Sequence, residues 1–292
     1  MDLDNLNIRQ KEPVTNMSGT PGQMTKDLEQ ELYPGVSNFI GNDDINIKYQ
    51  KGMFSVVEYR KDLSVTPGEA QLQYFMSKMN IKKKQLVIKI DENHSVTLQA
   101  GAMQWMLGNV NTTSGIKGAG DLLGKMVKGK VTGERAVKPE YVGNGLLVCE
   151  PTYSHILLID LGEWSNSIVV EDGMFLASQG GIKHNLVMRN NLSSAVAGGE
   201  GLFNLCMEGS GVVALESDVP YEELIEINLN NDCIKIDGNY AVAWSKSLQF
   251  TVEKSGKSLL GSAVSGEGLV NVYRGTGKLL MKPLGRSNNL IH

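Results

Sequence analysis

Gly199-Glu200-Gly201-Leu202-Phe203-Asn204-Leu205 is answered 67 residues later by Gly266-Glu267-Gly268-Leu269-Val270-Asn271-Val272. A third pair, Gly133-Glu134, lies 66 residues before the first. Downstream of each stands a Gly-x-Gly: Gly143-Asn144-Gly145, Gly209-Ser210-Gly211 and Gly275-Thr276-Gly277, again 66 residues apart. Upstream, Gly101, Gly173 and Gly238 each close an alternating run, Val96-Thr97-Leu98, Ile168-Val169-Val170 and Ile234-Lys235-Ile236. Several markers in one phase define a tandem repeat, and a repeat of this length is one supersecondary unit that cannot bury its apolar face alone.

Each unit reads as strand, turn, strand, glycine turn, strand, loop with Gly-Glu, strand, Gly-x-Gly turn, strand. Period-two alternation broken by frequent glycines indicates β structure. The expected fold is therefore all-β, with three tandem repeats (about 85–148, 156–214 and 224–281) packed around a pseudo-threefold axis. They form one compact domain over 46–285, because no Pro- or Ser-rich linker separates them. The 33 glycines among 292 residues fit many short strands joined by tight turns.

Ahead of the repeats, residues 1–45 read as a polar N-terminal extension with a short helix near 25–33. A second helix is expected at about 67–79 as an insertion. Thr66 is a good N-cap, Pro67 follows, and Glu69 completes a capping box. Leu72, Phe75, Met76 and Met79 have the spacing of one buried helical face. The Lys82 to Lys84 run suits a solvated helix end.

Sequence chemistry excludes more than it assigns. In Gly199-x-Gly201 and Gly266-x-Gly268 the third glycine of a dinucleotide fingerprint is replaced by Asn204 and Asn271, and the flanks read as strands rather than strand and helix. His94, His155, His184 and His292 have no His or Cys at ligand spacing, so no metal site is expected. No nucleophile elbow occurs, and no cofactor is implied. A net charge of −4 argues against nucleic acid. Cys149, Cys206 and Cys233 form no pair motif and read as free buried thiols of a reducing compartment. With no secretory pattern at the start, the expected location is the cytoplasm.

Two sets of residues remain as site candidates. Glu134, Glu200 and Glu267 recur once per repeat, and converging on an axis they could hold a small molecule or hard cation; the plainer reading is that each satisfies backbone N–H groups at an equivalent corner. The segment Asp121 to Lys128 is amphipathic and basic, so Leu122, Leu123, Met126 and Val127 are candidates for contact with a partner or a membrane surface.

The order Gly101-Ala102-Met103, Trp105-Met106, the Gly-rich run from Gly115 to Lys130 into Gly133-Glu134, and the two Gly-Glu-Gly segments resembles the family named for altered inheritance of mitochondria protein twenty-four. The resemblance covers about residues 50 to 283. It implies a fold like the repeated subunits of the tryptophan RNA-binding attenuation protein, a short variant of the double-stranded β-helix. The mitochondrial relative is associated with inner-membrane organisation, and the family offers no catalytic residues to carry over. This chain differs from it in the N-terminal extension, in the 67–79 helix, and in Arg135 and Lys138, where the later copies have Gly and Asn. The expected function is a non-enzymatic scaffold or interaction protein, with a protein partner or a second copy and peripheral membrane contact. The alternative is small-molecule or cation binding at the Gly-Glu positions.

Overall fold

The computed structural model describes residues 29–30, 34–113, 138–188, 203–254 and 269–284. Within them the chain is all-β apart from the helical residues 29–30, one further α-helix and two short 3-10 turns. The first strands are β1 (Ile45–Lys51), β2 (Phe54–Tyr59), β3 (Lys84–Ile90), β4 (Val96–Leu98), β5 (Met103–Thr113) and β6 (Glu140–Cys149). Next come β7 (His155–Asp160), β8 (Ser167–Val170), β9 (Phe175–Gln179), β10 (Lys183–Met188), β11 (Phe203–Glu208) and β12 (Val212–Ser217). The last are β13 (Ile225–Asp237), β14 (Ala241–Ser245), β15 (Gln249–Lys254) and β16 (Leu269–Met281). The expected runs at Val96–Leu98, Ile168–Val170 and Ile234–Ile236 all fall within strands.

The strands divide into two antiparallel sheets. Nine form one sheet in the order β1-β2-β3-β6-β4-β9-β12-β7, with β5 paired to β6. This sheet curls until its terminal strands nearly meet: the Tyr49 hydroxyl on β1 donates to the Ile156 carbonyl on β7, and Lys51 pairs with Glu163 at 2.9 Å just past β7. Seven strands form the second sheet, β10-β11-β8-β14-β16-β13, with β15 paired to β16.

Alternation sorts the side chains into neighbouring cores. On β12, Val212 and Ala214 face the interior of the nine-stranded sheet, beside Phe54, Leu86, Ile88 and Leu147. Val213 and Leu215 face the other way, joining Leu157 and Ile159 of β7 against Ile168, Val170, Leu205 and Met207 of the second sheet. Val169 and Cys206, one residue out of phase, enter a third core with Trp244, Leu248, Tyr273 and Leu279. Strands buried on both faces need continuous apolar runs, which is why β8 reads Ser-Ile-Val-Val and β12 opens Val-Val-Ala-Leu.

Of the Gly-x-Gly segments expected as turns, Gly209-Ser210-Gly211 joins β11 to β12, whereas Gly143-Asn144-Gly145 lies within β6 and Gly275-Thr276-Gly277 within β16. The first glycine of each Gly-x-Gly has nearly the same conformation, φ +122° at Gly143, +141° at Gly209 and +123° at Gly275. Gly108 faces Gly145 across the β5–β6 pairing and Gly143 faces Val110.

Part of the N-terminal region packs on this body. Ile40 is buried with Val57, Val87 and Val148 on the outer face of the nine-stranded sheet, beside Phe39 and Trp105. The Glu29 carboxylate, itself buried, accepts hydrogen bonds from the backbone N–H groups of Asn38, Phe39 and Ile40 at 3.0, 2.6 and 2.6 Å. Of the helix expected at 25–33, Glu29 and Gln30 are described and are helical.

The inserted helix, α1 (Pro67–Lys78), forms as its capping signals dictate. Glu69 N–H donates to Thr66 Oγ1 at 3.4 Å, and Thr66 N–H returns to Glu69 Oε2 at 2.9 Å. The expectation of a buried apolar face fails. No residue of the helix is buried, and Leu72, Phe75 and Met79 are 62, 60 and 76% exposed. The apolar spacing is real, but the face points to solvent, while Gln73, Met76 and Ser77 are the half-covered side. Two smaller readings change as well. Cys233 is exposed, whereas Cys149 and Cys206 are buried. Lys84 is buried in β3 rather than solvated at a helix end, because the strand is covered on both faces there, with Glu58 paired on one edge and Thr152 bridged on the other.

Candidate functional site

Three features gather chemistry on this fold. The first is a polar cleft of about 210 Å³ where the two sheets meet. The β8–β9 turn brings Glu171 and Asp172, the end of β12 brings Glu216 and Ser217, the next residue is Asp218, and Lys282 follows β16. The turn is fixed by Glu171 N–H donating to the Val242 carbonyl at 3.1 Å, and Glu216 N–H to the Met174 carbonyl at 2.7 Å. Lys282 Nζ lies 3.6 Å from Glu171 Oε2 and 4.0 Å from Asp218 Oδ2. Four carboxylates around one ammonium make a negative cleft that favours cations over anions.

The second feature is a charged cluster at the seam of the nine-stranded sheet. Glu58, on β2, is nearly buried, with Lys48 Nζ at 3.5 Å and Lys82 Nζ at 3.6 Å. Buried Lys84 stands beside them and donates from Nζ to the Lys82 carbonyl at 2.9 Å. Its burial pulls its pKa below the usual lysine range, against the pull of Glu58. On β7, His155 keeps Nδ1 buried with no hydrogen-bond partner. Burial, reinforced by Lys84 and Lys48, drops its pKa to about 4. Across the seam, burial raises the Tyr49 pKa above the ordinary phenol value. None of this was legible in the sequence: the residues come from four strands and a loop, and only the pairing of β1, β2, β3 and the approach of β7 assembles them. Both faces of β2 and β3 are covered around Glu58 and Lys84, so alternation gave no signal for them.

A second depressed histidine lies on β10. His184 Nε2 is 3.0 Å from the buried Ser178 Oγ, and its ring meets Phe175 edge-on at 4.9 Å. Burial, with Lys138 nearby, lowers its pKa to about 4. Both histidines are thus neutral when folded and titrate near 6.5 when unfolded. Between those values the unfolded chain binds more protons, so stability is complete above about pH 6.5 and falls as pH drops toward 4. His184, the more deeply buried, contributes roughly 2–3 kcal/mol to that loss, and half-buried His155 contributes less because solvent screens it. Urea unfolding midpoints measured from pH 7 to pH 4.5 are expected to fall. His184→Gln, which keeps a neutral partner for Ser178, is expected to flatten more than half of the slope; an unchanged slope would mean His184 is not held neutral.

The third feature is the α1 excursion. Leu63, Leu72, Tyr74, Phe75, Met79 and Ile81 are all exposed, from 42 to 80%. Tyr153 is also exposed, and Lys83 Nζ sits 5.7 Å over its ring.

The residues singled out from the sequence fall elsewhere. Glu134, Glu200 and Glu267, and Leu122, Leu123, Met126 and Val127, lie outside the described residues. The strands flanking each Gly-Glu pair are described, and each flanking pair is hydrogen-bonded: β5 with β6, β10 with β11, β15 with β16. Among the described residues no group of His, Cys, Asp and Glu has the geometry of a metal centre. Trp164 and Trp244 are core residues, and Trp105 packs at the rim.

Comparison with known proteins places these features in a family context. The family model described as mitochondrial biogenesis AIM24 matches residues 77–284. An uncharacterised protein of Streptococcus pyogenes serotype M6 is 31% identical over 208 residues, covering 68% of this chain and 81% of that protein. A crystal structure of a Streptococcus pyogenes protein from a structural genomics consortium is similar with a TM-score of 0.51 and 27% identity, covering 70% of this chain and 89% of that one.

Proposed function

The chain belongs to the mitochondrial biogenesis AIM24 family, and we propose that it is a non-enzymatic interaction protein whose docking surface is the α1 excursion. One observation carries this reading: six of the large apolar side chains exposed among the described residues lie within Leu63 to Ile81. Contiguous exposed apolar surface marks interaction sites in folded proteins, and an ordinary amphipathic helix would have turned that face inward. The capping box fixes the helix as a helix, so the exposure belongs to a formed element. In this reading the three β repeats pack around a pseudo-threefold axis, like subunits of the tryptophan RNA-binding attenuation protein, and serve as the scaffold that presents α1. The shared φ of Gly143, Gly209 and Gly275 supports that equivalence.

Tagged protein purified from gently lysed native cells tests the reading, with wild type beside a Leu72→Ser/Phe75→Ser/Met79→Ser variant. The wild type is expected to retain protein or membrane material at fixed stoichiometry, and the variant to lose it with an unchanged melting temperature. Identical preparations from both would refute the assignment of the docking surface.

A further inference from the structure

We propose that the α1 excursion docks on an anionic lipid surface, inserting Leu72, Phe75 and Met79 while the surrounding lysines contact headgroups. This rests on the interaction reading and names its partner.

Shape comes first. No residue of α1 is buried, and neither the cleft between the sheets nor the one near His94 is lined by any residue of the excursion. The surface is a protruding ridge rather than a groove. A bilayer interface accepts such a ridge, since it deforms around an inserted helix and needs no complementary pocket. Tyr74 on the helix and Tyr153 on the adjoining loop carry an apolar ring with a polar tip, the side-chain form favoured at the headgroup level.

Charge then selects the lipid. Residues 60–83 hold Arg60, Lys61, Lys78, Lys82 and Lys83 against Asp62 and Glu69, in a chain whose net charge is −4; Lys84 is buried in β3 and lies off this surface. Asp44 and Glu58 from neighbouring elements approach Lys61 and Lys82, and Lys83 pairs with Asp62, so five cations stand against four carboxylates and a small positive excess remains. A second copy would bring the same cations to the same face in a symmetric dimer, so self-association is opposed. Basic groups beside an exposed apolar stripe instead match a negatively charged membrane, where each cation near the surface adds about 1 kcal/mol. Lys61 is 72% exposed at its side chain, and Lys78 lies 5.1 Å over the Tyr74 ring, both placed to reach headgroups. Among the described residues no helix is long and apolar enough to cross a membrane, so the contact is a surface one.

The test is flotation of the full chain with vesicles of phosphatidylglycerol and phosphatidylcholine, and separately of phosphatidylcholine alone. Wild type is expected to float with the anionic vesicles at least tenfold better than with neutral ones. Leu72→Ser/Phe75→Ser/Met79→Ser should lose at least tenfold, and Lys61→Gln/Lys78→Gln should lose the preference for anionic lipid. All five positions are exposed or at the surface, and unchanged melting temperatures confirm that folding is intact. Equal binding by wild type and the triple variant overturns the proposal, as does no binding by wild type. Sedimentation velocity in the same buffer shows whether the helix instead pairs two copies, which also overturns it. If vesicles fail while a helix-dependent protein partner is still retained from cells, the lipid assignment falls and the interaction reading stands. If both fail, both fall.

Discussion

Gly143→Ala is expected to lower stability by about 4 kcal/mol, or to abolish folding. Two costs coincide at this position. Its φ is +122°, a region closed to side chains with a β carbon. An added Cβ would also stand 2.0 Å from the Asn109 carbonyl oxygen, and 3.3 Å from Val110 Cα. Both are backbone atoms of the paired strand β5, so relief requires parting the β5–β6 ladder rather than turning a side chain. Gly145→Ala meets the Leu107 carbonyl at 2.1 Å and should behave alike. For a chain of this size, a loss of that order lowers Tm by roughly 8–15 °C. Gly173→Ala is the control: its φ is +80°, but nothing lies within 4 Å of the added carbon, so it should cost only about 1 kcal/mol of backbone strain. Thermal unfolding of the three variants checks the ranking. Equal effects at Gly143 and Gly173 would mean that the repeated Gly-x-Gly marks an ordinary turn rather than a backbone crossing.

Glu58→Ala is expected to cost about 3–5 kcal/mol, the range for removing one partner of a buried ion pair. The carboxylate is nearly buried between Lys48 and Lys82, with buried Lys84 beside them. Its loss leaves three cations facing one another in a place water reaches poorly. The cost belongs to the uncompensated charges more than to lost hydrogen bonds, since one of its carboxylate oxygens is buried without a hydrogen-bond partner. That distinction makes the effect recoverable. Lys84→Met removes the deepest of the three cations and keeps the aliphatic volume, so the double variant Glu58→Ala/Lys84→Met should regain at least about 1.5 kcal/mol over Glu58→Ala alone. Denaturant midpoints for the four proteins of the cycle give the coupling. Strict additivity would show that the two residues are independent and that Glu58 acts through local packing.

The β strands and the helix were legible because their markers are local. Glycine spacing and period-two alternation located the strands at Ile168–Val170 and Ile234–Ile236, and Thr66, Pro67 and Glu69 located the helix. What a local pattern cannot hold is the direction a face points. Leu72, Phe75 and Met79 have the spacing of a buried stripe, and only the placement of α1 beside the sheet shows the stripe facing water. The seam cluster was hidden for a related reason. Lys48, Glu58, Lys84 and His155 are far apart in sequence and meet through strand register and the curl that brings β7 toward β1. The cleft acids Glu171, Asp172, Glu216 and Asp218 carry no local motif, and their convergence depends on how the two sheets join. Glu134, Glu200 and Glu267 remain the signature of the repeat in sequence.

The central claim is that the α1 ridge is where this protein meets its partner. Photocrosslinking in native cells tests it directly, with a genetically encoded benzophenone residue in place of Phe75 and, as a control, in place of Glu163, more than half exposed at its side chain and remote from the helix in sequence. The account predicts a strong adduct from position 75, lipid in composition, and none above background from position 163. Equal or absent crosslinking at the two positions would contradict it.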